Sequence, residues 1–209
     1  MNRSMLMMCA VLALSTNVLA QESGGATQEE VDRVVRTAER AAAPLEPGAS
    51  QAEIDRAVFA APERMRNQVM VIKWNPANWT YVTLRKGTGL VCFDKSGLPG
   101  QLAYSIECTS IGNLPRATQN MRFEAEPDRA KRVAAINAAE KDGTRIKPQY
   151  GSFWYHLLGA NAATAIRHTN IAVPGATGAS TGFPEKSGDG LIWLMSAGTF
   201  GAHLMTPGE

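Results

Sequence analysis

Two cysteines on either side of a Pro-Gly turn constrain the fold of this chain more than any other feature. Residues 102–109 alternate between apolar and polar side chains, which is the pattern of a half-buried strand, and Cys108 lies on the apolar side. Residues 90–93 form a second short apolar run that contains Cys92. Between the two runs, residues 98–101 have Pro and Gly at the positions that a type II turn favours. The pattern predicts a hairpin in which Cys92 and Cys108 lie nearly opposite each other.

The first 20 residues have the pattern of a secretory signal peptide. Arg3 precedes an apolar run at residues 5–14, and small residues follow at 18–20, so Gln21 is the expected new N-terminus. The apolar run is much shorter than the ~20 residues that a membrane-spanning helix needs, and no comparable run follows. We therefore expect a mature chain of residues 21–209 that has no membrane span and is exported in soluble form, to the periplasm or beyond.

Export would place the remaining pair of cysteines in an oxidising compartment. An even pair of cysteines is typical of a disulfide there, and Cys9 belongs to the segment that is removed. A bridge between Cys92 and Cys108 would close a loop of about 15 residues and stabilise the fold by about 3 kcal/mol. The alternative is a redox-active or metal-binding pair, which the spacing of the two residues does not favour.

Composition excludes several classes of protein. The chain is 44% hydrophobic and 19% charged, so it is too apolar for a disordered protein. The formal net charge of +2 falls by one when Arg3 leaves with the signal peptide. With no basic cluster in the sequence, we expect no nucleic-acid partner. The length suits a single domain, which we predict to span residues 21–209.

Two capping boxes predict a pair of helices near the N-terminus. After a loose leader at residues 21–26, Thr27 and Glu30 match the capping-box pattern, and Ser50 and Glu53 match it again. Each box is followed by apolar residues at helical spacing. We predict one further, central helix that begins at residues 126–128, with Pro at its first position and Gly at its C-cap.

The remaining elements are predicted to be strands. Before the central helix they follow the alternating runs at residues 69–74 and 80–85, and the predicted hairpin comes next. The C-terminal third is rich in Gly and poor in charge, with a long Gly-rich connection at residues 175–190. Its predicted strands are 153–158, 169–173 and 191–195. Strands that follow helices in this way favour an α+β fold with a largely antiparallel sheet.

The histidines are the best candidates for a site, and all of them lie in the last third. His156 shares a strand face with Trp154, while His168 is expected to face solvent or a cleft. His203 and Met205 share a face, and such a soft pair suits copper in an exported protein. We therefore consider His156, His168, His203 and Met205 as metal ligands, and the three histidines with Trp154 as ligand-binding residues. None shows a tight ligand spacing such as H-E-x-x-H, and a lone His is more often a hydrogen-bonded structural residue.

One segment matches a serine-hydrolase pattern. Residues 178–182 fit G-x-S-x-G, and Asp189 and His203 follow in the hydrolase order. The mechanism needs a strand before the Ser and a helix after it, whereas here a loop with Pro and Gly follows. We interpret the match as chance, and the sequence identifies no catalytic residue and no cofactor.

Three segments resemble a group of exported bacterial proteins with no assigned activity. They are residues 81–94 (YVTLRKGTGLVCFD), 154–160 (WYHLLGA) and 192–207 (IWLMSAGTFGAHLMTP). The resemblance implies an intact single module and supplies no activity, cofactor or catalytic residue.

We predict a non-enzymatic module that binds a small molecule or interacts with an envelope component. We expect its site where the C-terminal strands meet the connection at residues 175–190. Two alternatives stay open. One is a metal-dependent exported enzyme that uses copper or zinc on the histidines. The other is a structural or interaction protein without a pocket, marked by an exposed apolar patch. Convergence of two or more histidines would favour the enzyme, and their dispersal would favour the binding module.

Overall fold

The computed structural model of the chain describes residues 27–29, 42–188 and 191–208. The predicted signal peptide, the leader at 21–26 and most of the first predicted helix lie outside the described residues and stay predictions. In the described part of the chain, no helix is both long enough and apolar enough to cross a membrane.

The structure is an α+β fold, as predicted. The helices that lie wholly within the described residues are α1 (Gln51–Ala57), α2 (Leu114–Glu124), α3 (Arg129–Lys141) and α4 (Gly178–Thr181). Short 3-10 turns lie at Val58–Ala60, Glu63–Met65, Ile111–Asn113 and Ala162–Thr164. Helix α1 begins with the predicted capping box, in which Ser50 Oγ accepts from the backbone N–H of Glu53 and the Glu53 carboxylate accepts from that of Ser50.

Eight strands form a single sheet in the order β2-β1-β3-β4-β5-β6-β8-β7. Their bounds are β1 (Met70–Asn75), β2 (Thr80–Arg85), β3 (Leu90–Asp94), β4 (Tyr104–Ser110), β5 (Phe153–Gly159), β6 (Ile166–Ala172), β7 (Trp193–Met195) and β8 (His203–Met205). Neighbouring strands are antiparallel except β1 and β3, which are parallel. The prediction of an antiparallel sheet is therefore correct for every neighbouring pair except this one.

The parallel pair arises because β2 lies outside β1. To reach β3, the connection at residues 86–89 has to cross the segment that leads into β1. At the crossing, the backbone N–H of Thr88 donates to the carbonyl of Gln68 at 2.7 Å. A Cβ on Gly87 would lie 2.2 Å from the backbone nitrogen of Met70, so only glycine fits at this crossing.

Both faces of the sheet are covered. One face packs on α1 and the 3-10 turn that follows it, and its core includes Ile54, Ala57, Val71, Cys92, Ile106, Cys108 and Leu157. The other face packs on α2, and its core includes Ile72, Trp74, Phe93, Leu114, Met121 and Trp154. The prediction of a half-buried strand at 102–109 is wrong for this reason, because both sides of β4 are buried.

The central helix predicted from the sequence is present as α3, and a further helix, α2, precedes it. The side chain of Asp128 caps α3 by accepting from the backbone N–H groups of Ala130 and Lys131. Pro127 therefore precedes the cap instead of occupying the first helical position. Gly143 follows the C-terminal end with a φ of 78°, as expected of a residue just past a helix.

The predicted hairpin and its disulfide are confirmed. Cys92 on β3 lies directly opposite Cys108 on β4, and the two are bonded. Gly100 has a φ of 74°, and the N–H of Gln101 donates to the carbonyl of Leu98, which is the geometry of a type II turn.

Replacing both Cys92 and Cys108 by Ala is expected to lower the free energy of unfolding by about 3 kcal/mol, because the unfolded chain regains the entropy that the bridge removes. Guanidinium denaturation of the native protein with and without a reductant checks this and separates the bridge from the loss of two buried side chains. Equal stability under both conditions, or two free thiols in the denatured non-reduced protein, would contradict it.

Candidate functional site

A cavity of about 680 Å³ lies between one face of the sheet and helices α2 and α3. Its floor is built from alternate residues of β4, β5 and β6, since side chains on one face of a strand recur every second residue. From β4 come Ser105 and Glu107, and from β5 come Trp154, His156 and Leu158. The strand register sets Glu107 directly opposite His156. The turn between β7 and β8 forms one end of the cavity.

Each helix lines the cavity with residues four positions apart, which lie on the same helix face. Helix α2 contributes Arg116, Asn120 and Glu124. Helix α3 contributes Arg132, Ile136 and Glu140. The helices therefore line the cavity mainly with polar and charged side chains.

A buried ionic cluster lies at the centre of the floor. Lys95 Nζ lies 2.7 Å from Glu107 Oε2 and 3.5 Å from Glu124 Oε2. His156 Nδ1 lies 3.3 Å from the same Glu107 oxygen. The Lys95 and Glu107 side chains are only 7% and 6% exposed. Gln101 donates from its amide nitrogen to Glu124 at 2.7 Å and so ties the loop after β3 to α2.

The pKa values of the central pair follow from this arrangement. Burial alone would raise the pKa of Glu107, but the opposing charge of Lys95 and the contact with His156 lower it to about 2. Burial alone would lower the pKa of Lys95, but Glu107 and Glu124 outweigh that effect and raise it. Both residues are therefore charged at neutral pH.

Two arginines form the cationic side of the cavity. Arg116 and Arg145 are each 6% exposed. Arg116 donates through Nη1 to the backbone carbonyl of Ile146. Arg145 donates to the side-chain oxygens of Gln119 at 2.8 Å and Asn120 at 2.7 Å. Burial, and then the charge of Arg145, lower the pKa of Arg116 to about 10.

A hydrogen-bonded network fastens the loop that presents Arg145. Asn113, at the start of α2, donates to the hydroxyls of Thr109 at 2.9 Å and Ser152 at 2.8 Å. Its side-chain oxygen accepts from the backbone N–H of Gln149 at 2.7 Å. These bonds join β4, α2 and residues 145–152 in one polar network, which holds Arg145 beside α2.

His203, on β8, also lines the cavity. Its Nδ1 lies 2.7 Å from the carbonyl of Gly201, and because a carbonyl only accepts, we assign the proton to Nδ1. Burial lowers the pKa of His203, the hydrogen bond to Gly201 opposes this shift, and the neighbouring His156 and Arg116 add to it. His203 is therefore neutral at pH 7 and keeps Nε2 as an acceptor.

Several polar atoms on the cavity wall have no partner in the protein. They are Ser105 Oγ, Asn170 Oδ1 and Arg145 Nε, and all three residues line the cavity. Buried polar atoms in folded proteins are nearly always hydrogen-bonded, to protein, water or ligand. The three atoms are covered by the protein, and two more of this kind, Trp74 Nε1 and His168 Nδ1, belong to residues outside the lining.

The structure brings together three of the residues singled out in the sequence and leaves two outside. Trp154, His156 and His203 line the cavity. His168 lies opposite His156 in the strand pair but is not in the lining, and its ring packs against Gly208. Met205 is also outside the lining, next to Asn170 on β6. The predicted His203–Met205 pair is thus split between the cavity and its exterior.

The predicted location of the site needs one correction. The described part of the connection at 175–190 does not line the cavity, which is closed at that end by residues 196–203. Ser180, in the chance hydrolase match, is exposed and donates to the carbonyl of Thr177 within its own turn. In residues 27–29, 42–188 and 191–208, no group of three or more His, Cys, Asp or Glu is placed to hold a metal ion.

Sequence reasoning missed the four charged residues that dominate the cavity, namely Lys95, Glu107, Arg116 and Arg145. A signal for the first two was present, since the predicted hairpin sets Lys95 close to Ser105 and on the same side as Glu107. The N–H of Lys95 does donate to the carbonyl of Ser105 at 2.7 Å. No local signal marks Arg116 or Arg145, because a polar helix stripe ordinarily faces water.

The fold and cavity define an α+β protein with a charged internal pocket. No family model, no curated protein and no solved structure matches the chain.

Substituting Lys95→Met is expected to lower the free energy of unfolding by about 3–5 kcal/mol, because Glu107 is left buried without its partner charge. Urea denaturation measures this. The matched control is Lys86→Met, which removes an ion pair with Glu46 in which the lysine side chain is 80% exposed. The control should lose far less. Equal losses of unfolding free energy in the two variants would show that the buried pair stabilises the fold no more than the exposed pair does.

Stability is expected to fall at both extremes of pH. Glu107, whose pKa is lowered to about 2, stabilises the fold above its unfolded pKa of about 4.3, and this contribution is lost as the pH falls toward 2. Lys95, whose pKa is raised, stabilises the fold below about pH 10, and this contribution is lost as the pH rises through the folded value.

Chemical denaturation of the wild type and Glu107→Gln across this range tests the assignment. The variant should lack most of the acid-dependent loss. The pKa of the exposed Glu53 is also lowered to about 2, but its ion pair with Lys73 is screened in about 0.5 M salt while a buried pair is not. An identical acid profile for the two proteins in high salt would refute the role of Glu107.

Proposed function

We propose that this protein is an exported module that binds a small molecule in the cavity between the sheet and helices α2 and α3. The cavity volume of about 680 Å³ falls within the ~300–1,000 Å³ of small-molecule sites. Its wall combines apolar residues such as Trp154, Leu158 and Ile136 with a few converging polar groups. That combination is typical of sites that fix the orientation of a ligand.

The observation that carries the proposal is the convergence of polar and charged side chains from separate elements on this one cavity. Ser105, Arg116 and Asn170 come from β4, α2 and β6, and Arg145 comes from the loop after α3. A few polar groups that converge in a cleft are the usual means of fixing the orientation of a ligand.

The ionic cluster supports binding without turnover. Glu107 accepts from Lys95 and from His156, so its carboxylate is already occupied by groups of the protein. Its low pKa makes it a poor base near neutral pH, because an efficient general base has a pKa near the working pH. We assign Lys95, Glu107 and His156 to shaping and charging the floor of the cavity.

The proposed export rests on the predicted signal peptide, and the disulfide fits an oxidising compartment. An envelope component stays open as the partner in place of a free small molecule. The metal-dependent enzyme is a second candidate, because His156 and His203 converge on the same cavity and so meet the criterion stated above for it. It ranks second because, among the described residues, no group of three or more His, Cys, Asp or Glu is placed to hold a metal ion. Copper or zinc bound there would use these two histidines as ligands.

One experiment separates these functions. The protein, purified from its export compartment without denaturation, is expected to show in native mass spectrometry a bound organic molecule that leaves on denaturation. The variant Leu158→Trp fills the cavity from β5 and should lose this molecule. The variant Val82→Trp, which adds the same side chain at an exposed position of β2, should retain it.

The other outcomes are equally definite. A mass increase of one copper or zinc that disappears in His156→Gln would favour the enzyme. A bound macromolecule that both Trp variants retain would favour an envelope partner docked elsewhere. Wild-type protein with no added mass, and with no uptake of any probe that Leu158→Trp blocks, would refute the proposed binding site.

A further inference from the structure

We propose that the ligand of this cavity is a small organic anion whose carboxylate, sulfonate or phosphate group binds between Arg116 and Arg145. The inference rests on the proposed function, since it names the class of molecule for the same cavity. The two arginines come from different elements, α2 and the loop that follows α3, and meet on one wall.

Two like charges are buried on the wall of the cavity. The side chains belong to Arg116 and Arg145, and each residue is only 6% exposed to solvent. Each charge lowers the solvation that the other could receive, and the charge of Arg145 lowers the pKa of Arg116. A buried charge is costly unless it is paired, so an arrangement of this kind calls for an anion.

The protein supplies only neutral acceptors. Arg116 donates to a backbone carbonyl, and Arg145 donates to the amide oxygens of Gln119 and Asn120. Within the described ranges of the chain, no carboxylate lies at ion-pair distance from either guanidinium. Two acids act on the arginines without forming an ion pair with them: Glu140 favours the charged form of both, and Glu124 favours that of Arg145.

The other acids of the cavity are already engaged. Glu107 and Glu124 share the charge of Lys95, and Glu107 also contacts His156. This side of the cavity therefore sets one lysine against two carboxylates, whereas the two arginines have no ion pair within the described residues. A ligand with a negative group at one end matches this division.

There is space beside Arg116. Gly201, on the turn that closes the cavity, has no side chain there, and a Cβ on it would lie 3.6 Å from Arg116 Nη2. A guanidinium with free N–H groups binds two oxygens of a carboxylate or phosphate group with two parallel hydrogen bonds. The remaining cavity is far larger than a water-sized ion needs, so the body of the ligand is organic and lies against Trp154 and Leu158.

Two fluorescent probes test the charge of the ligand directly. 8-Anilinonaphthalene-1-sulfonate and N-phenyl-1-naphthylamine share the same aromatic body and differ by the sulfonate. Wild-type protein is expected to bind the sulfonate about 10- to 100-fold more tightly, the range that hydrogen bonds to a charged group supply. Arg116→Gln should abolish the difference, and Arg116→Lys should keep part of it. Arg122→Gln, an exposed arginine on the same helix, is the matched control and should change nothing.

A second pair of variants places the counter-charge inside the protein. Gly201→Asp sets a carboxylate next to Arg116, so it should raise the midpoint of thermal unfolding and weaken binding of the sulfonate probe at least to the level of the neutral one. Gly201→Asn has the same shape without the charge and should leave the preference for the sulfonate in place. An increase in stability of equal size in both variants would overturn the inference.

The failures of the two proposals are distinguishable. If both probes bind equally and Leu158→Trp blocks both, the cavity is a binding site, but its ligand is not selected by charge. If the sulfonate is preferred but Leu158→Trp leaves its binding unchanged, the anion site lies elsewhere and the inference fails. If neither probe binds and native mass spectrometry shows no bound molecule, the proposed function fails, and the anion inference fails with it.

Discussion

The buried ion pair between Lys95 and Glu107 is the interaction on which the rest of the structure depends. Glu107 lies in the middle of β4, a strand covered on both faces, and a lone carboxylate there would be prohibitively expensive. Lys95 reaches it from the end of β3, and Glu124 and His156 approach from α2 and β5. These contacts therefore join β3, β4, β5 and α2 at one point.

The charged floor affects how the helices pack over the sheet. Apolar side chains would pack directly on an apolar floor, whereas α2 and α3 present polar side chains to this charged floor, and a cavity remains between the helices and the sheet. The polar network around Asn113 anchors the loop that carries Arg145, which adds a second arginine to the lining. Helix α2 thus covers the core through Leu114 and Met121 and lines the cavity through Arg116, Asn120 and Glu124.

The sequence predicts the local elements well and the site only in part. The capping box at Ser50, the type II turn and the disulfide all follow from neighbouring residues, and so does the shared face of Trp154 and His156. The polar side of β4 is covered by α2, the next helix along the chain, and no local pattern predicts that this helix folds back over the strand. The meeting of Arg116 with Arg145 depends on loop geometry that no residue spacing encodes.

The position of the disulfide has a consequence for the order in which strands align. A shift of one residue between two paired strands turns every side chain to the opposite face. On β4 such a slip would drive Glu107 into the apolar layer beneath α1 and turn Cys108 away from Cys92. The disulfide can form only when the two cysteines face each other, so it forms only in the correct register. Once formed, it holds the alignment of β3 and β4 that places Glu107 on the same side of the sheet as Lys95.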